Sequence, residues 1–148
     1  MSDEYWMYEA LKQAKIAQEN DEVPVGAVVV LDNRIIGRGY NQMETLQDAT
    51  AHAEIIAITS ASRTVGNWRL NGATVYVTLE PCPMCAGAIL LSRISRCVFG
   101  AKDTRLGSCG SVYDIRSRKI EVVCGILEEE CKLLIEEFFR GIRDEEEE

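Results

Sequence analysis

His52 and Glu54 in Ala51-His52-Ala53-Glu54-Ile55, and Cys82 and Cys85 in Pro81-Cys82-Pro83-Met84-Cys85, are residue types that could do chemistry together. One imidazole and two thiolates make three ligands for a zinc ion. Three protein ligands leave the fourth tetrahedral position open, which marks a catalytic zinc rather than a structural one. Glu54 is not needed as a ligand. Two residues from the imidazole, it is placed to move protons. Zinc lowers the pKa of a water that it binds toward about 7, and a neighbouring carboxylate can take that proton and pass it on.

Each of these residues also has a plainer reading. His52 is the single histidine of the chain, and a lone histidine is ordinarily a satisfied core residue. Its uniqueness excludes two-histidine zinc sites, and a serine triad would have to use His52, with no nucleophile elbow in the sequence. A CxxC could be a redox dithiol, but this one follows a middle strand rather than opening a βαβ unit. It could also be half of a structural zinc site, with Cys97 or Cys109 completing the set, but Glu54 would then have no role. Glu54 itself could be a surface acid on a first helical turn. His-x-Glu followed by Pro-Cys-x-x-Cys is, as a set, the pattern of zinc-dependent nucleobase deaminases. Hydrolytic deamination needs a proton shuttle, because an amide-like amine leaves poorly until it is protonated.

The elements that must position these groups follow from periodicity. Met7, Ala10, Leu11, Ala14 and Ala17 recur at helical spacing from about Asp3 to Glu19, and Asn20-Asp21 ends that helix. Val23 to Leu31 and Arg34 to Tyr40 are β-rich runs joined by Asp32-Asn33, which reads as a hairpin. Asn41 to Thr50 is polar and reads as a loop. A helix is expected from Ala51 to about Thr64 with Thr50 as N-cap, then a strand from Ala73 to Leu79. The next helix, Pro83 to Ser92, has proline near its first position, where a missing N–H costs nothing. Short strands at Cys97–Gly100 and Ile120–Cys124 flank a Gly/Ser-bearing loop. A last amphipathic helix is marked by Leu127, Cys131, Leu134, Ile135, Phe138, Phe139 and Ile142. Strands alternating with helices imply an α/β layered sheet with helices on both faces. Both candidate metal segments open helices, whose N-termini favour thiolate and neutral imidazole.

At 148 residues the chain reads as one domain, residues 1–143, followed by the acidic run Asp144 to Glu148, expected to be disordered. No apolar run approaches the roughly 20 residues of a membrane helix. The acidic N-terminus lacks the basic segment of a signal peptide. The cysteines outside the CxxC, Cys97, Cys109, Cys124 and Cys131, have no framework spacing and read as small core residues of a cytoplasmic protein. Net charge is −8, yet residues 86–119 hold 7 basic and 2 acidic residues. That basic island, Arg93, Arg96, Lys102, Arg105, Arg116, Arg118 and Lys119, directly follows the thiols. It is either solvated surface or an electrostatic footprint for a phosphate backbone.

A wider resemblance covers nearly the whole chain. Thr78-Leu79-Glu80-Pro81-Cys82-Pro83-Met84-Cys85-Ala86-Gly87-Ala88-Ile89, with Ser92-Arg93-Ile94 after it, resembles the bacterial tRNA-specific adenosine deaminases. So do Val23-Pro24-Val25-Gly26-Ala27-Val28-Val29, Ala51-His52-Ala53-Glu54-Ile55 and Phe99-Gly100-Ala101-Lys102-Asp103. The resemblance implies a three-layer cytidine-deaminase-like fold with a central mixed five-stranded sheet. It implies one zinc per chain on His52, Cys82 and Cys85, with Glu54 as catalytic shuttle. It further implies a homodimer that converts the wobble adenosine of a tRNA anticodon stem-loop to inosine. On the matching positions Asn41 would hydrogen-bond the adenine among Val25, Ala53, Leu79 and Pro81. Asp103 would lie near the flanking ribose beside Lys102 and Arg105. Phe138, Phe139 and Arg140 would lie along the anticodon loop. Ala49 stands where the family often has proline, the segment between Asp114 and Ile120 is shorter than usual there, and the tail is acidic where many relatives end basic. Two rival functions share the zinc motif: a free-base enzyme such as guanine deaminase, and a non-catalytic zinc-stabilised RNA-binding protein. The basic island and Asn41 argue against the first, and Glu54 against the second.

Overall fold

The computed structural model describes residues 1–115 and 120–147. Arg116, Arg118 and Lys119 of the basic island lie outside the described residues. The element order is α1 (Asp3–Glu19), β1 (Gly26–Leu31), β2 (Arg34–Tyr40), α2 (Met43–Leu46), α3 (Ala53–Val65), β3 (Thr74–Leu79), α4 (Pro83–Leu91), β4 (Arg96–Ala101), β5 (Glu121–Cys124) and α5 (Glu128–Glu147). The sheet runs β2-β1-β3-β4-β5. The hairpin makes β1 antiparallel to β2, and β1 is also antiparallel to β3. β3, β4 and β5 are parallel, as crossovers through helices require. The expected mixed five-stranded sheet is therefore present.

Alternation along the strands divides the core in two. Ala27, Val29, Val75, Val77, Cys97 and Phe99 face α3 and α4, where Ala53, Ala57, Ala61 and Ile89 meet them. Val28, Val30, Tyr76 and Val98 face α1 and α5, against Trp6, Met7, Leu11 and Cys131. The result is three layers, α/β/α.

Helix α3 sits unusually close to β2. A methyl group added at Gly39 would overlap the Ala53 carbonyl oxygen, and one at Gly37 would overlap that of Ala57. Two glycines on one strand face and alanines on the facing helix stripe thus bring backbone against backbone. The start of α3, where His52 and Glu54 lie, is set by this approach.

Several expectations need correction. β1 begins at Gly26 rather than Val23, because Pro24 has no N–H for the ladder. The segment 41–50 contains a short helix, α2, held by a buried carboxylate described below. α5 continues to Glu147 where a like-charge tail predicts irregular chain; no proline interrupts the run, and glutamate is a good helix former. Cys97, Cys109 and Cys131 are buried as expected, but Cys124, at the end of edge strand β5, is exposed. No helix among the described residues is long and apolar enough to cross a membrane.

Candidate metal centre and its cleft

His52 and Cys82 occupy equivalent positions. Each is the N-cap of its helix, His52 of α3 and Cys82 of α4, with extended backbone and no side-chain capping bond. This corrects Thr50 as N-cap: its N–H and hydroxyl instead bond the Asp48 carboxylate two residues back. An N-cap imidazole or thiol is not tied to the helix N–H groups here and can meet a partner from the neighbouring helix on the same face of the sheet. Cys85, one turn into α4, is fully buried and completes the cluster.

The Sγ atoms of Cys82 and Cys85 lie 3.6 and 3.5 Å from His52 Nδ1. Tetrahedral zinc with ordinary bond lengths places sulfur and nitrogen ligands about 3.6 Å apart. The three ligand atoms all lie within 4.8 Å of one another, and this is the one such group among the described residues. The donor set therefore fits zinc on distance as well as on chemistry. No fourth protein ligand joins it among the described residues: Cys97 and Cys109 lie in the apolar core.

The charges of the site suit a dication. A hydrogen bond from Cys85 holds the Cys82 thiol down at about 4, despite opposing burial, and His52 supports the thiolate. The same bond pushes Cys85 up, and the bond to Cys82 raises His52. A cation among them would favour both thiolates and neutral imidazole. Glu54 is 4% exposed, and burial raises its carboxyl to about 7, with His52 opposing. A carboxyl poised there can both take and give a proton near neutrality.

The cluster opens onto a cleft of about 160 Å³. Its lining includes Val25, Asn41, Ala53, Leu79 and Asp103, which the resemblance had named, beside His52, Glu54 and Cys82. Asn41 is nearly buried, and its Oδ1 accepts from the Met43 N–H, leaving the two Nδ2 hydrogens as donors. Asp103 Oδ1 accepts from the Arg105 and Leu106 N–H groups, so this carboxylate shapes its own turn. Pro81 is buried beneath the cleft and contributes its carbonyl to the Ser108 N–H.

Beyond the cleft, the named residues divide. Arg105 lies over Phe139, which packs edge-on against Phe138, so the rim continues onto α5 toward exposed Arg140. Lys102 is exposed beside Asp103. Arg96 is removed from the footprint: both its terminal nitrogens bond Asp3 at 2.7 Å, and its Nε pairs with Glu121. Arg93 follows the far end of α4, beside Trp68, at the opposite end of that helix from Cys82. Of the described island residues, only Lys102 and Arg105 adjoin the cleft.

Sequence reasoning missed Val23, Met43, Glu80 and Leu106 in the lining. It also missed Glu22, 1% exposed, whose carboxylate accepts from the Glu44 and Thr45 N–H groups at 3.2 and 2.7 Å. Those bonds satisfy the start of α2 and hold Met43 at the cleft edge. Glutamates beside a hydrophobic run carry no local mark of such a role.

Residues 1–101 match the profile of the cytidine and deoxycytidylate deaminase zinc-binding region. The chain belongs to this zinc deaminase family. As a member it is a zinc-dependent hydrolytic deaminase, and His52, Cys82 and Cys85 form the group that could hold the zinc. The deaminase is 50% identical over 146 residues to the tRNA-specific adenosine deaminase of Bacillus subtilis (strain 168), covering 95% of this chain and 91% of that protein. A structure from work on A-to-I editing by tRNA:A34 deaminases at the wobble position of transfer RNA superposes with a TM-score of 0.84 at 44% identity, covering 88% of this chain and 98% of that one. The guanine deaminase of Bacillus subtilis superposes with a TM-score of 0.67 at 34% identity, covering 77% and 72%.

Proposed function

We propose that this chain deaminates the wobble adenosine of a tRNA anticodon loop to inosine. The observation that carries the reading is the collinear 50% identity, over 95% of the chain, to a tRNA-specific adenosine deaminase. The guanine deaminase match is lower and covers less of the chain.

In this reading the target base leaves its stack and enters the cleft. Zinc, when bound, acts as a Lewis acid that makes a water nucleophilic at neutral pH. Glu54 takes the proton that this water loses and delivers it to the purine N1 as oxygen bonds to C6. Glu54 then takes the remaining proton from the oxygen on C6 and gives it to the exocyclic amine; the C6–N bond breaks, the C6 carbonyl forms, and ammonia departs. Water is consumed and the hypoxanthine base remains. Asn41 offers Nδ2 donors to an acceptor on the purine, and Val25, Ala53 and Leu79 supply apolar walls. Lys102, Arg105, Phe139 and Arg140 would receive the phosphates and unstacked bases of the loop.

The same reading places the enzyme in the cytoplasm as a homodimer. Support for a second copy comes from α4, where Leu91 is 71% exposed directly after buried Ile89 and half-buried Leu90. Leu91→Glu should give a folded monomer by light scattering with lost activity. Wild-type protein that is monomeric at micromolar concentration yet fully active would overturn the dimer.

The deciding experiment for the function incubates zinc-loaded protein with an anticodon stem-loop carrying adenosine at the wobble position, and separately with guanine. Inosine in the stem-loop supports the reading. Release of ammonia from guanine alone would assign the free-base function instead.

A further inference from the structure

Glu80 is a buried carboxylate that the mechanism does not use. It directly follows β3, two residues before Cys82, and is 2% exposed. Four donors converge on it from one loop. Oε1 accepts from the Asp103 N–H at 3.1 Å and from the Ser111 hydroxyl. Oε2 accepts from the Cys109 N–H at 2.8 Å and the Ser111 N–H at 3.2 Å. The neighbouring backbone joins in: the Glu80 N–H donates to the Ala101 carbonyl, and the Pro81 carbonyl accepts from Ser108, both at 2.8 Å. Gly107 closes over the carboxylate so tightly that an added methyl would overlap Glu80 Cδ.

Besides its own turn bonds, the Ser108–Pro81 bond and the Arg105–Phe139 contact, this loop is tied to the body of the protein through Glu80. Lys102, Thr104, Arg105, Leu106 and Gly110 are exposed, and Cys109 is its one side chain in the apolar core. Yet it supplies Asp103 and Leu106 to the cleft wall, and Arg105 to the stack on Phe139. Every group facing Glu80 is a donor, so only a side chain with two acceptor oxygens satisfies them all. Glutamine would set an NH₂ against N–H groups, leaving about half of the donors unmet.

We propose that Glu80 is a positioning residue for substrate binding: its carboxylate is the hub on which residues 103–111 are wound, and it fixes the Asp103–Leu106 wall relative to the segment that carries Cys82. It governs how firmly a nucleic acid is gripped in the cleft rather than the bond-breaking step. The binding consequence rests on the tRNA reading above.

The test uses the full-length, zinc-loaded protein with two variants and two readouts. Glu80→Gln disturbs the hub, and Ser111→Ala removes one of its donors, the Ser111 hydroxyl, from the loop side. Hydrogen exchange of peptides spanning residues 103–111 should quicken about tenfold or more in both variants, with one zinc per chain retained. With the anticodon stem-loop, KM should rise about tenfold, consistent with one or two lost charge-assisted hydrogen bonds, while kcat stays within about threefold. Unchanged loop exchange, or a fall in kcat at constant KM, would overturn the proposal. If Glu80→Gln loses zinc or fails to fold, Ser111→Ala decides alone by the same criteria. If the wild-type protein does not deaminate the stem-loop, the function fails as a reading, but the exchange measurement still decides whether Glu80 holds the loop.

Discussion

The Arg105 guanidinium lies 5.5 Å from the centre of the Phe139 ring. The contact joins the cleft-rim loop to the last helix, elements separated in sequence by β5, and presents a cation and an aromatic face side by side. Such pairs serve unstacked bases and phosphates together.

Binding of an anticodon stem-loop should therefore weaken with salt, despite a net charge of −8. Each phosphate neutralised on single-stranded nucleic acid adds roughly −0.7 to the slope of log K against log salt. Reversing Lys102 and Arg105 to glutamate should flatten the slope by about one unit or more and weaken binding, with zinc content unchanged. Equal slopes in a fluorescence titration would assign both residues to plain solvated surface.

Glu54→Gln should lower the deamination rate by at least about a hundredfold while leaving folding and zinc in place. The shape is kept, and only the capacity to exchange protons is lost. A variant retaining more than about a tenth of the rate would show that Glu54 is not the shuttle.

Removing the metal tests the centre from the other side. Chelator-treated protein should lose activity and regain it with one equivalent of zinc, whereas Cys82→Ala should not regain it. Full activity after metal analysis finds no zinc would overturn the ligand set.

The clamp between Asp3 and Arg96 predicts a pH-dependent stability. The Arg96 hydrogen bond holds the Asp3 carboxyl below its ordinary value of 3.8. A depressed carboxylate contributes stability above its unfolded value, and that contribution is lost as pH falls through the folded one. Asp3→Asn should cost about 1 kcal/mol at pH 7, since both ends remain partly open to solvent. The difference should shrink as pH falls below the ordinary carboxylate value and through the lowered folded one. Denaturant titrations showing a constant difference across this range would contradict the clamp.

What was legible in the sequence was local. His52, Glu54, Cys82 and Cys85 announce themselves through type and short spacing, and helix and strand periods gave the layers. What was not legible depends on distant partners. Arg96 looked like a phosphate ligand because Asp3 is 93 residues away. Glu80 looked like part of a motif, because its donors come from 23 to 31 residues downstream. Glu22 likewise finds its partners 22 and 23 residues on. Thr50 seemed a good N-cap because capping preference is a local rule, whereas at the start of α3 the cap position is taken by the imidazole that must reach across to Cys82 and Cys85.

The close seating of α3 on Gly37 and Gly39 has an evolutionary consequence. Where bulky side chains separate two layers, each core exchange shifts one layer against the other, and an active site drifts with it. Here the spacer is the peptide backbone itself, which substitution elsewhere does not resize. The interior can diversify while His52 and Glu54 keep their stations. The vulnerability is concentrated in two positions without side chains, where the gain of a single methyl would lift the helix and the metal ligand with it.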